Sequence, residues 1–202
     1  MMKRAEISLR PASPDDASHL LEIYRSYVTD TAVSFETELP SVDAFAERIR
    51  HITDFFPWLV CVVDGKIAGY AYASRHRERG AYQWSADLSV YISESYHRCG
   101  MASALYTALC DLLRMQGLRT VYAGVTSSNP VSKAFHRRFG FRTVGTYKNV
   151  GFKQGKWWDV TWFDLPLAKY DTPPAPPVPF ADGTQFPQLA CVLKKAAGMI
   201  RL

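Results

Sequence analysis

Apolar and polar positions alternate at the start of the chain and then switch to helical spacing. Ile7-Ser8-Leu9-Arg10 has the period of two that marks a half-buried strand. Ser13-Pro14-Asp15-Asp16 carries the signals of a helix start: a capping hydroxyl, a proline in the first turn, and two acids at the positive end of the dipole. Leu20, Tyr24, Tyr27 and Val28 continue it as one apolar stripe. Ser41 caps a second helix that lines up Val42, Phe45, Ile49 and Ile52. In the loop between the two helices, Phe35 and Glu36 suit the wall of a pocket. A loop aromatic tucked into the core fits the same residues equally well.

Trp58 to Val63 reads as a buried strand, Asp64-Gly65 as a tight hairpin turn, and Ile67 to Ala73 as the partner strand. A third strand is expected from Trp84 to Ser93. The helix that follows runs from Gly100 to Gln116 and ends at Gly117. Val121–Val125 is a strand, Asn129–Phe139 a short helix ended by Gly140, and Phe141–Val150 and Trp157–Leu165 are two more strands. This order predicts a mixed α/β fold: about seven strands in one mostly antiparallel, twisted sheet, flanked by about four helices. A single strand–helix–strand unit spans 87–125. The domain is expected over 1–167. From 168 to 202 follow a Pro-rich linker and a short extension with helical apolar spacing near 188–200. Docking of that extension, binding of a partner, and an unfolded tail all remain open.

The 202 residues are 48% hydrophobic and 21% charged, the composition of a globular protein rather than a disordered one. A net charge of +5 admits nucleic acid, an anionic membrane or a polyanionic cofactor, yet the basic residues are dispersed and no charge run appears. Nucleic-acid and membrane partners are therefore not expected. Cys61, Cys99, Cys110 and Cys191 form no CxxC pair and have no histidine at zinc spacing, so a reduced compartment and no metal are expected. The basic start, Met1 to Arg10, leads into no apolar segment, and no run is long enough to span a bilayer. These features together lead us to expect a cytoplasmic protein.

Candidate chemistry concentrates where the strand Asp87–Ile92 feeds a loop that opens straight into a helix at Gly100. Such a junction aims several free backbone N–H groups at one point, and the helix dipole favours an anion there. Gly100 and Ala102 are small enough to let a phosphate approach the main chain, and Arg98 adds positive charge. Downstream lies Asn129-Pro-Val-Ser132-Lys133-Ala-Phe-His136, ending in Gly140-Phe141. With these two segments the chain resembles the GCN5-related N-acetyltransferase (GNAT) superfamily. His97-Arg98-Cys99-Gly100-Met101-Ala102 matches its coenzyme A loop except at His97, where Gln or Arg is usual. Within it, the chain looks most like the phosphinothricin and methionine sulfoximine acetyltransferases. The supporting segments are Ser34–Pro40, Pro57–Val60, Ala81–Trp84, Ser89–Ser93 and Val150–Trp157.

The resemblance implies an acetyl-CoA-dependent enzyme that acetylates a small, amino-acid-like amine and forms a homodimer. Backbone groups of Val90, Tyr91 and Ile92 would bond the pantetheine arm, as an added strand does. Main-chain amides of Arg98, Cys99, Gly100, Met101, Ala102 and Ser103 would hold the pyrophosphate. Asn129 would contact the pantetheine, with Ser132 and Lys133 near the adenosine. Asp87 stands where the family has a glutamate base, and His136 occupies the position of an acid or positioning group. Arg77 would pair with the substrate carboxylate, with Phe35, Glu36, Tyr82 and Trp84 around the pocket. Acetylation of a protein N-terminus or lysine, and a non-catalytic acetyl-CoA-binding module, stay as alternatives. The extension beyond Leu167 has no counterpart in the subfamily pattern.

Overall fold

The computed structural model describes residues 5–181 and 186–202; the basic start at residues 1–4 lies outside them. In chain order the elements are β1 (Ile7–Pro11), α1 (Ala17–Thr29), α2 (Val42–Thr53), β2 (Trp58–Val63), β3 (Lys66–Arg75), β4 (Ser85–Ile92) and α3 (Met101–Gln116). They continue with β5 (Thr120–Thr126), α4 (Pro130–Phe139), β6 (Arg142–Lys153), β7 (Lys156–Pro166) and α5 (Leu189–Ala197). The strands form one seven-stranded sheet in the order β1-β2-β3-β4-β5-β7-β6. Every neighbouring pair is antiparallel except β4 and β5, which the α3 crossover joins in parallel.

Local chemistry accounts for the connections. Asp64 and Gly65 both take positive φ, 47° and 80°, the two-residue turn whose twist suits a hairpin. Gln154 and Gly155 repeat this between β6 and β7, at 52° and 75°. Ser41 caps α2 by accepting from Ala44 N at 3.1 Å, and Asn129 caps α4 by accepting from Ser132 N at 2.9 Å. Gly117 and Gly140 end α3 and α4 in the left-handed conformation.

Strand alternation divides the core between two faces. Trp58, Val60 and Tyr70 pack with Leu20, Tyr24, Phe45 and Ile49 under α1 and α2. Leu59, Cys61, Ala71, Ala86, Leu88, Val121, Ala123 and Phe163 pack under α3 on the opposite face.

The extension is docked. Phe180, Phe186, Val192, Leu193, Ala196 and Ile200 are buried in the same core as α3. The linker before it is pinned as well: Trp84 Nε1 donates to Ala175 O at 2.8 Å, and Phe180 N donates to Phe55 O at 2.9 Å. Strand β4 therefore begins at Ser85, and the Trp84 indole is held by the linker rather than at a pocket wall. That corrects its expected role. Since Leu193 is 8% exposed, Leu193→Ala is expected to cost about 2–4 kcal/mol in urea unfolding. A change under about 0.5 kcal/mol would mean that the extension contributes nothing to the core.

Candidate active site

Strands β4 and β5 pair only at Ser85↔Thr120, Ala86↔Val121 and Asp87↔Tyr122. Beyond that point β4 stays with β3 as far as Ile92↔Gly69, and β5 stays with β7 as far as Thr126↔Val160. The sheet therefore splits into two halves, and main chain lines the gap between them. Ser93 N donates to Ala68 O at 2.9 Å, which sets the phase of the β3–β4 ladder. By antiparallel alternation Ser89 and Tyr91 turn their backbone groups toward β3, whereas Leu88, Val90 and Ile92 turn theirs into the gap. The Ile92 carbonyl already accepts from the Tyr27 hydroxyl at 2.7 Å and lies 3.1 Å from His97 Nε2. Of the expected trio, Val90 thus has both its groups aimed into the gap and uncommitted, whereas Leu88 offers only its carbonyl, because the Asp87↔Tyr122 pairing uses the Leu88 N–H on the Tyr122 carbonyl. Tyr91 is corrected on the same ground: its backbone lies in the ladder and its ring packs on Tyr24 and Tyr27 at 4.8 and 5.1 Å.

At the open end of the gap the chain turns sharply into α3. Arg98 has φ +64° and Gly100 φ +87°, both left-handed, a conformation that costs a non-glycine residue about 1 kcal/mol. The first amide bonded inside this turn is Ala104 N, to Gly100 O at 3.0 Å, so those of Met101, Ala102 and Ser103 have no intrahelical partner. The Met101 side chain itself is buried in the core. On the far side Arg201 N donates to the Cys99 carbonyl at 2.8 Å. Because a trans peptide points its C=O and N–H oppositely, this bond turns the Gly100 N–H away from the tail.

The face beneath α1 and α2 carries Asp87. Its Oδ1 lies 2.7 Å from His76 Nδ1, and both side chains are largely covered. Burial raises the Asp87 pKa, opposed by the hydrogen bond and charge of His76 and by the charge of Arg77. The His76 ring stacks on Tyr122 at 4.3 Å, with Tyr82 and Trp162 edge-on at 6.0 and 6.1 Å. Arg77 lies over Trp162, 5.8 Å from the ring centroid. His76 is absent from the sequence-derived site. The signal that finds it is parity, since Tyr70, Tyr72, Ser74 and His76 alternate toward the face that Asp87 shares across the Ser74↔Asp87 register.

The loop after α1 closes over this face. A Cβ on Gly151 would lie 2.3 Å from the Phe35 ring, so glycine is what lets Phe35 rest on β6. Lys153 Nζ donates to Val28 O and Ser34 O, both at 2.7 Å, and ties the same loop to β6. Glu36 pairs with Arg48 at 2.6 Å. Tyr72 feels the charges of Glu36, Arg48 and Asp87, which places it among the three.

His136 approaches from the other face. It is 3% exposed, with its ring stacked on Phe163 at 5.6 Å. Its Nδ1 lies 2.8 Å from the Ser132 carbonyl, which can only accept, so Nδ1 carries the hydrogen and Nε2 accepts from the Tyr106 hydroxyl at 3.2 Å. Both ring nitrogens are committed. Tyr106, buried on α3, feels the charge of Asp87. No hydrogen bond among the described residues joins His136 to Asp87, so the structure sets these two groups on opposite faces of the split sheet. Ser132 and Lys133 sit half-buried on the first turns of α4. Among the described residues no group of three or more His, Cys, Asp or Glu is placed to hold a metal ion.

A gap between diverging parallel strands, with a helix start at its mouth, invites comparison with known proteins. The family model described as "Acetyltransferase (GNAT) domain" matches residues 9–162. The chain belongs to the GNAT acetyltransferase family. A phosphinothricin N-acetyltransferase of Streptomyces viridochromogenes is 33% identical over 184 residues, 91% of this chain and 98% of that protein. An L-methionine sulfoximine/L-methionine sulfone acetyltransferase of Pseudomonas aeruginosa is 32% identical, covering 79% and 94%. The crystal structure of a GNAT superfamily phosphinothricin acetyltransferase from Sinorhizobium meliloti in complex with AcCoA matches with a TM-score of 0.80. That match has 33% identity and covers 85% of this chain and 95% of the other. This GNAT chain is thus an acetyl-CoA-dependent N-acetyltransferase with the GNAT fold.

Burial holds the His136 pKa below its ordinary 6.5, against the raising effect of the Ser132 hydrogen bond. The unfolded chain then takes up this proton first, so the contribution is intact above pH 6.5 and is lost as pH falls below it. Urea unfolding at pH 7 and pH 5 is expected to show a larger loss for wild type than for His136→Phe. Equal losses would place His136 in water.

Proposed function

We propose that this enzyme acetylates the α-amine of a small amino-acid analogue of the phosphinothricin or methionine sulfoximine type. The observation that carries the reading is the split between β4 and β5, with Asp87 at its apex. The uncommitted Leu88 carbonyl and both main-chain groups of Val90 suit a pantetheine arm lying along β4, as an added strand would. Amides of Gly100, Met101, Ala102 and Ser103 suit the pyrophosphate, where anion and helix dipole attract. Asn129 keeps its side-chain NH2 for the arm while its oxygen caps α4. Arg98, Cys99, Ser132 and Lys133 border the diphosphate and adenosine ends. Acetyl-CoA bound there supplies an electrophilic thioester carbonyl.

The acceptor enters from the face of α1 and α2. Arg77, held over Trp162, receives its carboxylate, and Phe35, Glu36 and Tyr82 line the approach. An ammonium cannot attack until it loses a proton, and the Asp87 site, made less acidic by burial, is the anionic centre for that loss. The Val90 N–H faces the position where negative charge develops on the carbonyl oxygen. His136, with both nitrogens engaged, works by positioning the Tyr106 hydroxyl rather than as a proton donor.

The roof made by Phe35 and Lys153 favours a compact acceptor over a peptide. Exposed Val144, Tyr147, Val150, Phe152 and Trp157 on β6 and the start of β7 offer an apolar surface for a homodimer. Dispersed charge argues against nucleic acid as a partner. No helix among the described residues is long and apolar enough to cross a membrane, and the four cysteines are unpaired, as suits the cytoplasm where acetyl-CoA is made.

Thiol release from acetyl-CoA, followed with phosphinothricin, methionine sulfoximine and peptides bearing free N-termini, tests the substrate class. The two amino-acid analogues are expected to turn over with kcat/KM at least about 10-fold above any peptide. Preference for a peptide would overturn the reading.

A further inference from the structure

Strand β3 ends at Arg75, and the residue just past its end turns its ring back under the sheet's apex. His76 is held there from several sides. Its Nδ1 is 2.7 Å from Asp87 Oδ1, its ring is stacked 4.3 Å from Tyr122 at an interplanar angle of 18°, and Tyr82 and Trp162 meet it edge-on. Its side chain is 12% exposed against 26% for Asp87. An ionised carboxylate only accepts, so the hydrogen of neutral His76 sits on Nδ1 and leaves a lone pair on Nε2. Among the described residues nothing hydrogen-bonds to Nε2. Asp87, by contrast, already has Oδ1 engaged.

A carboxylate that fixes an imidazole tautomer, stabilises its protonated form and leaves the second nitrogen open is the arrangement of a general base with its orienting partner. We propose that His76 Nε2 is the atom that removes the proton from the acceptor ammonium, and that Asp87 is the carboxylate that orients and charges it. The proposal rests on the acetyl-transfer reading above and names the proton acceptor within it. With Nδ1 held by Asp87 and Nε2 left without a partner, the ring presents an in-plane lone pair toward the acceptor side, which the engaged carboxylate does not.

The proton balance closes. The ammonium gives one proton to Nε2, and the freed amine lone pair forms a C–N bond to the thioester carbon. The C–S bond breaks, the thiolate takes the second amine proton, and the imidazolium returns its proton to solvent. The groups that face this ring are Asp87 from β4, Arg77 and Tyr82 from the segment after β3, and Tyr122 from β5. Asp164 of β7 and Tyr170 act on Tyr122 in turn.

Three variants test this in the full chain with a turned-over amine. His76→Phe keeps the stacking on Tyr122 and removes both nitrogens. It is expected to lower kcat about 10²-fold or more, with acetyl-CoA affinity within about 2-fold of wild type, and to abolish the acidic limb of the kcat/KM pH profile. His76→Gly is expected to regain rate with added imidazole. In wild type, ¹⁵N spectra of the imidazole are expected to show neutral His76 protonated at Nδ1, with Asp87→Asn moving that proton to Nε2. A His76→Phe enzyme within about 3-fold of wild type and keeping the acidic limb would overturn the proposal and return proton removal to Asp87. So would Nε2–H as the resident tautomer in wild type. Failure of wild type to acetylate any amine would instead strike the functional reading, and the tautomer measurement stands apart from it.

Discussion

Everything at the site follows from two parallel strands that part company after three residue pairs. Had β4 and β5 stayed paired to their ends, the Leu88 carbonyl and both main-chain groups of Val90 would be ladder groups with nothing left for a ligand. Each strand instead keeps an antiparallel partner on its outer side, β3 for one and β7 for the other, so the split costs only the shared edge. An unpaired strand edge is ordinarily an invitation to aggregate. Here it is internal, roofed by the helices on both faces, and open to something slender enough to lie along it.

In the proposed reaction the split is also what lets groups from opposite faces meet at one apex. Asp87 and His76 reach the apex from beneath α1 and α2, beside aromatic rings and the Glu36–Arg48 pair. Tyr106 and His136 reach it from beneath α3 and α4, inside the apolar core. In a continuous sheet these sets would be separated by a layer of backbone. The C-terminal extension belongs to the same design at the far end, because its Arg201 amide holds the Cys99 carbonyl and so fixes the peptide plane that opens the loop into α3.

Much of this was legible in the residues. Asp64-Gly65, the caps Ser41 and Asn129, and the stops Gly117 and Gly140 act through local backbone chemistry, so the elements fall where the sequence places them. The left-handed entry into α3 at Gly100 was visible for the same reason. Features that depend on register were not. Backbone phase in β4 decides that Leu88 and Val90 face the gap and Tyr91 does not, and that phase is set by a bond between Ser93 and Ala68, far apart in sequence. His76 was hidden among Arg75, Arg77 and Arg79, and only the β3–β4 pairing brings it to Asp87. Trp84 looked like a pocket wall until the linker, 91 residues further on, claimed its indole. His136 was found by its surroundings in sequence, yet its commitment to Ser132 and Tyr106 needed the packing of α4 on α3.

The claim most exposed to refutation is that the gap itself receives the cofactor. Amide hydrogen exchange, resolved to single residues with and without acetyl-CoA, addresses it directly. The account predicts that Val90 and Gly100 gain protection on binding, while Leu88 and Tyr91, already bonded within the β4–β5 and β3–β4 ladders, do not change. Saturation with acetyl-CoA that leaves the Val90 and Gly100 amides exchanging as before would contradict it.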